Sequence, residues 1–349
     1  MNTLSRSVLR QQDILHMWLS MRQIISMGLF ILIKQKRRGR LNNMIHTIFF
    51  GTNLVAKTVL QALINAPNIS VDLVITQPDK PVGRKQIMTP TAVAELASQH
   101  NIPVEKPETL KDFPITKLPS CQVAILADYG LIIPQTIIDA FPKGILNVHP
   151  SLLPEYRGAT PVPSAILHGE TTTGVTIMQV EKRMDAGPIL ATQKYELAPD
   201  EMAQDALLAL AKIGANVLVE KLPAYMADEI ALQVQDDTEA TFCNQFTRED
   251  GRIDWGKTTQ EIYNQYRALS PWPGLWTTWD TKRVKLLKIR PATNKQGNNG
   301  QVSIEGDTMY IGTAGGSIQI LELQLEGKNA MDVKTFVKGF RQIDGEQFS

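Results

Sequence analysis

From Met44 onward the chain alternates short apolar runs with stretches whose apolar residues recur at helical spacing, the pattern of parallel strands joined by crossover helices. Runs at Ile45–Phe50, Val71–Thr76, Val123–Ala127 and Ile145–Val148 predict strands, and Val55–Asn65, Pro90–His100 and Pro134–Ala140 predict helices between them. Thr176–Val180 and Ile189–Tyr195 read as two more strands flanking the tight turn Met184–Pro188, which places Asp185 at a strand–turn junction after a parallel-type crossover. A helix from about Met202 to Met226 follows, and then 228–250 turns polar and acidic in the manner of a linker. After Gly251 a helix over Thr259–Leu269 leads into short strands near Trp276–Trp279, Val284–Arg290, Gly300–Ile304, Met309–Gly312 and Ser317–Gln324, the layout of a small barrel such as an OB-fold.

At 349 residues with 43% hydrophobic content, the chain is longer than single cores usually grow. The expected fold is α/β: a Rossmann-like, mostly parallel sheet domain over 44–229, a linker over 230–248 and a small OB-like β-barrel over 249–349. Residues 1–43 have no place in this pattern. An apolar-rich stretch from about Ile14 to Ile33 is interrupted by His16, Arg22 and Gln23 and is followed by the basic cluster Lys34–Arg40. It reads as a dispensable extension or a mis-assigned start upstream of Met44, with a membrane or surface anchor and a basic arm as the alternatives.

Lys+Arg total 36 against Asp+Glu 35, so the formal charge of +1 neither demands nor excludes a polyanionic partner. Cations do cluster locally, at Lys282, Arg283, Lys285, Lys288 and Arg290, and the acidic linker offsets them in the sum. A barrel with such a face suits nucleic acid, and a solvated face accounts for it as well. Cys121 and Cys243 are far apart and belong to no Cys-x-x-Cys or Cys/His cluster, which argues against a disulfide scaffold and a zinc site and fits a reduced, cytoplasmic setting. There is no G-x-G-x-x-G and no P-loop string, so dinucleotide and P-loop phosphate chemistry are excluded. Gly51-Thr52-Asn53, between a strand and a helix, offers a backbone-lined pocket for an anion or polar ligand. Gln77–Lys85 follows the next strand, carries three cations and is too rich in proline and glycine for regular structure.

The chemistry concentrates at Ile145–Pro161, Ile-Leu-Asn-Val-His-Pro-Ser-Leu-Leu-Pro-Glu-Tyr-Arg-Gly-Ala-Thr-Pro. Alternation along an extended chain puts Asn147 and His149 on one side. With Asp185, they suit a reaction passing through a tetrahedral oxyanion: amide and imidazole donate to the developing charge, the imidazole moves a proton, and the carboxylate holds the imidazolium. A histidine merely satisfied in a core or at a surface is the other reading, and the residues alone leave both open.

The string Asn147-Val-His149-Pro-Ser151-Leu-Leu-Pro154-x-Tyr-Arg157-Gly158, together with Met184-Asp185-Ala186-Gly187, resembles the 10-formyltetrahydrofolate-dependent formyltransferases. Within that family the second-domain strings Gly251–Trp255 and Arg267–Pro273 resemble the members whose acceptor is methionine on initiator tRNA. The resemblance runs from Met44 through the barrel. It implies Asn147, His149 and Asp185 as the catalytic trio, and a folate site at Tyr129, Gly130, Leu131, Ile132, Ser151, Leu152, Leu153, Pro154 and Gly187. It further implies tRNA contacts at Arg84, Lys85, Arg157, Lys282, Arg283 and Lys285. The implied partners are 10-formyltetrahydrofolate as formyl donor and initiator methionyl-tRNA as acceptor. No metal, DNA or membrane partner and a monomeric state are expected, and a small amine such as an amino-sugar nucleotide is the alternative acceptor. The chain departs from the family in having Asn53-Leu54 where Pro-Asp is usual, a shorter and less basic loop after Arg84, and Val93 in place of a common lysine.

Overall fold

The structure, a computed structural model, describes residues 44–83 and 85–349; the 1–43 extension and the expected tRNA contact Arg84 lie outside the described residues. His46–Ala66 with Val71–Ser349 form one compact unit, and Ile45 and Pro67–Ser70 group apart from it.

The first sheet is built from β1 (Ile45–Gly51), β2 (Ile69–Ile75), β3 (Val104–Glu105), β4 (Val123–Ala127), β5 (Ile145–His149), β6 (Thr172–Gln179) and β7 (Ile189–Glu196), in spatial order β7-β6-β5-β4-β1-β2-β3. β4 pairs in parallel with both β1 and β5, and β2 pairs in parallel with β3. Strands covered by helices on both faces need apolar side chains pointing both ways, which is why these runs are nearly continuous in Ile, Val, Phe and Ala. Phe49 and Phe50, adjacent and so on opposite faces of β1, are both 0% exposed. The far edge differs from expectation. β6 runs antiparallel to β5 and β7 antiparallel to β6, so Asp185 lies on the connection of an antiparallel hairpin and not after a parallel crossover. A connection of nine residues or so is too short to return a chain for parallel pairing.

The helices are α1 (Leu54–Asn65), α2 (Ala92–Gln99), α3 (Pro161–Leu167), α4 (Ala203–Met226), α5 (Thr259–Leu269) and α6 (Val333–Gly339). The helix expected over Pro134–Ala140 is reduced to Gln135–Ile138. Gln77–Lys85 is more regular than expected, because Lys80–Val82 pairs antiparallel with Ile87–Thr89. Pro81 is tolerated because this two-stranded ribbon has solvent on its outer edges.

The second sheet contains β8 (Leu275–Trp279), β9 (Lys282–Ala292), β10 (Val302–Glu305), β11 (Thr308–Thr313) and β12 (Gly316–Leu325), in the order β8-β9-β12-β11-β10 and antiparallel throughout. Its two edges are joined by Glu346–Ser349: Thr278 and Ser349 exchange backbone bonds of 2.8 and 3.0 Å, while Val302 N–H donates to Glu346 O at 2.9 Å. Filling the gap with a third segment satisfies edge groups that would otherwise be open to pairing with another chain. α5 starts with a reciprocal capping box between Thr258 and Glu261 and lies against α3. Buried Arg267 on α5 donates to Glu201 O at 3.2 Å, and the Tyr263 hydroxyl donates to Asp200 at 3.1 Å, so polar bonds tie this helix to the start of α4.

Candidate active site

The pleat of β5 decides which way the chemistry faces. Val148 is 5% exposed and packs against α4 at Gly214, where an added Cβ would lie 2.6 Å from Val148 Cγ1. Because successive strand residues point to opposite faces, Asn147 and His149 both face away from α4. The Asn147 amide is half-buried and makes no hydrogen bond among the described residues. An amide held on a buried strand with free donors is available to a substrate oxygen.

His149 is 4% exposed, and its Nε2 lies 3.1 Å from Tyr156 O. A carbonyl only accepts, so Nε2 carries the hydrogen and Nδ1 is left as the proton-exchanging atom. Nδ1 faces Asp185, whose Oδ1 is 3.7 Å away. That separation is too long for a direct hydrogen bond and short enough for strong attraction between an imidazolium and a carboxylate. The other carboxylate oxygen accepts from Gly158 N–H at 2.9 Å. The structure thus brings together the three residues singled out for catalysis.

Backbone of unusual conformation surrounds the trio. Asp185, Tyr156 and Asp128 have φ of 50°, 56° and 44°, in the left-handed region that side chains other than glycine's enter at a cost. Gly158 and Gly187 are required by close approach: a Cβ would lie 2.1 Å from Cys243 O at the first and 1.9 Å from Gln179 O at the second. Arg157, expected at a tRNA surface, is instead 3% exposed. Its guanidinium donates to Gln235 Oε1 through Nε at 3.1 Å and through an Nη at 2.8 Å, and pairs with Asp237 at 2.8 Å. The physical reason for this correction is that strand pairing of Arg157–Gly158 with Phe242–Cys243 covers the arginine with the very segment expected to be a solvated linker. Gln235 and Thr241, which support the site, gave no signal in the sequence because they stand in a polar stretch with no periodicity.

The residues expected around folate divide into two groups. Ser151 and Leu153 are buried and act as framework, with Ser151 Oγ donating to Glu155 O at 2.7 Å and Leu153 N–H donating to Thr176 Oγ1 at 3.2 Å. Leu152, Pro154, Leu131 and Gly130 are accessible in part or fully, Ile132 is 90% exposed, and Gly187 is buried. Tyr129 is part of the core, its ring edge-on to Phe50 at 5.6 Å and its hydroxyl buried without a hydrogen bond among the described residues. Asp128 beside it is exposed as a residue, yet the surrounding protein withholds enough water to push its carboxyl pKa up, opposed by a hydrogen bond with the Asn53 side chain.

The expected Gly51–Asn53 pocket exists as a cavity of about 660 Å³ lined by residues that include Thr52, Asn53, Gln77, Lys80, Thr91 and Leu207. It does not include the trio. It abuts the same turn, since Thr52 Oγ1 and Gln77 Nε2 donate to Tyr129 O at 2.8 and 2.9 Å. Lys85, Lys282 and Lys285 are exposed, and Arg283 lies over the Trp276 ring at 4.2 Å, positions open to a polyanion. His46 has a carboxylate partner, Asp72, at 2.7 Å. Among the described residues no three His, Cys, Asp or Glu group as a metal site, and no helix is long and apolar enough to cross a membrane.

Comparison with known proteins places this geometry in a lineage. The model of the formyl transferase domain matches residues 44–222, and that of the formyl transferase C-terminal domain matches 245–341. Methionyl-tRNA formyltransferase of Caldicellulosiruptor saccharolyticus is 36% identical over 310 residues, covering 86% of this chain and 99% of its own. That of Chloroflexus aurantiacus is 39% identical over 299 residues, with 84% and 96% covered. Among solved structures, an N-formyltransferase from Helicobacter canadensis in complex with folinic acid and dTDP-3-aminofucose superposes with a TM-score of 0.60 at 19% identity, covering 79% of this chain and 99% of that one. The last likeness concerns the fold alone. The amino-terminal match spans more than half the chain and full-length relatives exceed a third identity, so the protein belongs to the formyl transferase family.

Proposed function

We infer that the chain transfers the formyl group of 10-formyltetrahydrofolate to the α-amine of methionine on initiator tRNA. The observation that carries this reading is the placement of His149 Nδ1 3.7 Å from Asp185 with Asn147 on the same strand face, in a chain with full-length relatives named for this reaction.

In the proposed step the amine forms a C–N bond to the formyl carbon and the bond from that carbon to folate N10 breaks. The Asn147 amide donates to the oxyanion. His149 Nδ1 takes the proton from the attacking amine and delivers it to the departing nitrogen, while Nε2–H stays on Tyr156 O and fixes the ring. Asp185 stabilises the transient imidazolium. Protonated Nδ1 is a further donor to the oxyanion, so base and electrostatic stabiliser are one group at successive moments. The donor is proposed to lie against Gly130, Leu131, Leu152, Pro154 and Gly187, largely through backbone groups.

Lys85, Lys282, Arg283 and Lys285 are proposed to hold tRNA phosphates, and Arg157 is withdrawn from that set. Binding through phosphates weakens steeply with added salt and depends little on base identity. We propose a domain boundary within 245–248, because Gln233, Gln235, Phe242–Cys243 and Asn244 are all bonded to the first domain.

The deciding assay offers purified protein and 10-formyltetrahydrofolate two acceptors, charged initiator tRNA and an amino-sugar nucleotide. Formyl-methionyl-tRNA is the expected product. Transfer to the sugar nucleotide alone, or to neither, refutes the reading.

A further inference from the structure

We propose that Arg157 and Gln235 are positioning residues for the reaction, clamping the Asp185 turn so that the carboxylate stays in register with His149; the proposal rests on the reading above that these two groups act on the proton.

Gln235 is buried at 8% exposure between Val234, 82% exposed, and exposed Asp236. Its side-chain amide has two hydrogens and two acceptor positions, and all four are used. Oε1 accepts from Arg157 Nε and Nη at 3.1 and 2.8 Å. Nε2 donates to Asp185 O at 2.9 Å and to Gly187 O at 2.6 Å. A saturated buried amide tolerates one arrangement of its partners, because any shift leaves a buried donor or acceptor unmade.

The same arginine begins the other half of the clamp. Arg157 is flanked by Tyr156, whose carbonyl takes the His149 proton donor, and by Gly158, whose N–H holds Asp185 Oδ2. Thr241 Oγ1 accepts from Tyr156 N–H at 2.8 Å. Both members of the catalytic pair are therefore indexed to one residue and one linker segment: His149 through the backbone beside Arg157, and Asp185 through Gln235 and Gly158. Asp185 needs this support, since its backbone sits at φ 50° and would relax without it. Asp237 supplies the outer end, held below its usual carboxyl range first by Arg183 and then by Arg157.

Gln235→Glu separates positioning from simple tethering. The carboxylate still accepts from Arg157, so the linker stays attached, but it cannot donate to the Asp185 and Gly187 carbonyls and repels both. In the full-length protein we expect kcat to fall by about 100-fold, the scale of a misplacement near 1 Å, with KM for the folate donor within about threefold. Arg157→Lys, which keeps the charge for Asp237 and loses the two-pronged bond, is expected to give the same split between kcat and KM. Arg183→Ala removes only an exposed ion pair and leaves kcat within about twofold.

Amide exchange of Gly158, read by NMR, is the activity-independent arm. Its rate should rise by about tenfold or more in Gln235→Glu while amides of β5 hold theirs. A lowered melting temperature with unchanged kcat and unchanged Gly158 exchange overturns the proposal and leaves a tether. Failure of the wild-type protein to formylate any acceptor overturns the functional reading instead, and the exchange arm still reads the clamp. Should Gln235→Glu not fold, Arg157→Lys carries the same two readouts.

Discussion

Replacing Asp185 by asparagine tests the electrostatic core of the proposed mechanism with almost no change in shape. Asp185 Oδ2 accepts from Gly158 N–H at 2.9 Å, a bond that an asparagine carbonyl oxygen takes over. The amide nitrogen then occupies the place of Oδ1, so what is lost is the charge 3.7 Å from His149 Nδ1. At an effective dielectric constant of about 20, two unit charges at that distance attract by about 4.5 kcal/mol, which is the ceiling. The side chain is 15% exposed and an amide dipole remains, so about half of that is the expected loss when the imidazolium forms. About 2 kcal/mol corresponds to a fall in kcat of about 30-fold, and the full value to about 2000-fold. Single-turnover formylation at saturating donor and charged tRNA measures it, with circular dichroism to verify the fold. Turnover within about threefold of wild type in a folded Asp185→Asn protein would falsify the coupling between carboxylate and imidazole.

Thr176→Val removes a hydroxyl that is 0% exposed, accepts from Leu153 N–H and donates to Ser151 O, stranding two buried backbone groups in the 151–154 segment. Urea unfolding should show a loss of about 2–4 kcal/mol, and a change below about 0.5 kcal/mol would mean that other partners take over. Gly158→Ala drives a methyl to 2.1 Å from Cys243 O at φ 126°, so the linker strand must detach from Arg157–Gly158. A stability loss of at least about 3 kcal/mol, accompanied by loss of formylation, is expected in the same measurement. The Cys121 thiol is pushed up to about 11, chiefly by burial and then by Asp72. Since the native state favours the neutral thiol, the associated stability is fully present below pH 9 and is lost as pH rises toward 11. Thiol-reagent kinetics should accordingly show Cys121 nearly inert at pH 8 and increasingly reactive toward pH 11. Reaction at pH 8 as fast as an unfolded control contradicts this.

Much of the fold can be read along the chain wherever a local signal coincides with burial. The helix Thr259–Leu269 matches its expected limits because a capping threonine, a glutamate three residues on and an apolar stripe act within one segment. The strands β1, β4 and β5 appear as apolar runs because both their faces are covered. Direction of pairing is not written into a single strand. β6 is buried like its parallel neighbours, and only its partners make it antiparallel. The ribbon at Lys80–Thr89 escaped for a related reason, since two three-residue strands around a turn carry too little pattern to register.

At the site, the sequence by itself singled out the groups proposed to react: an amide and an imidazole two residues apart on a strand, and an aspartate in a glycine-bearing turn. It did not determine which histidine nitrogen is left free, nor where Arg157 points. Those were decided by how the chain folds back: Tyr156 O, on the loop just after the strand, takes Nε2–H, and Gln235, 78 residues beyond Arg157, takes the guanidinium. An arginine has the same composition and local neighbours whether it meets solvent or a buried amide. Its role follows from what the tertiary fold lays over it, and here a polar stretch that looks like a tether folds back onto Arg157 and the Asp185 turn.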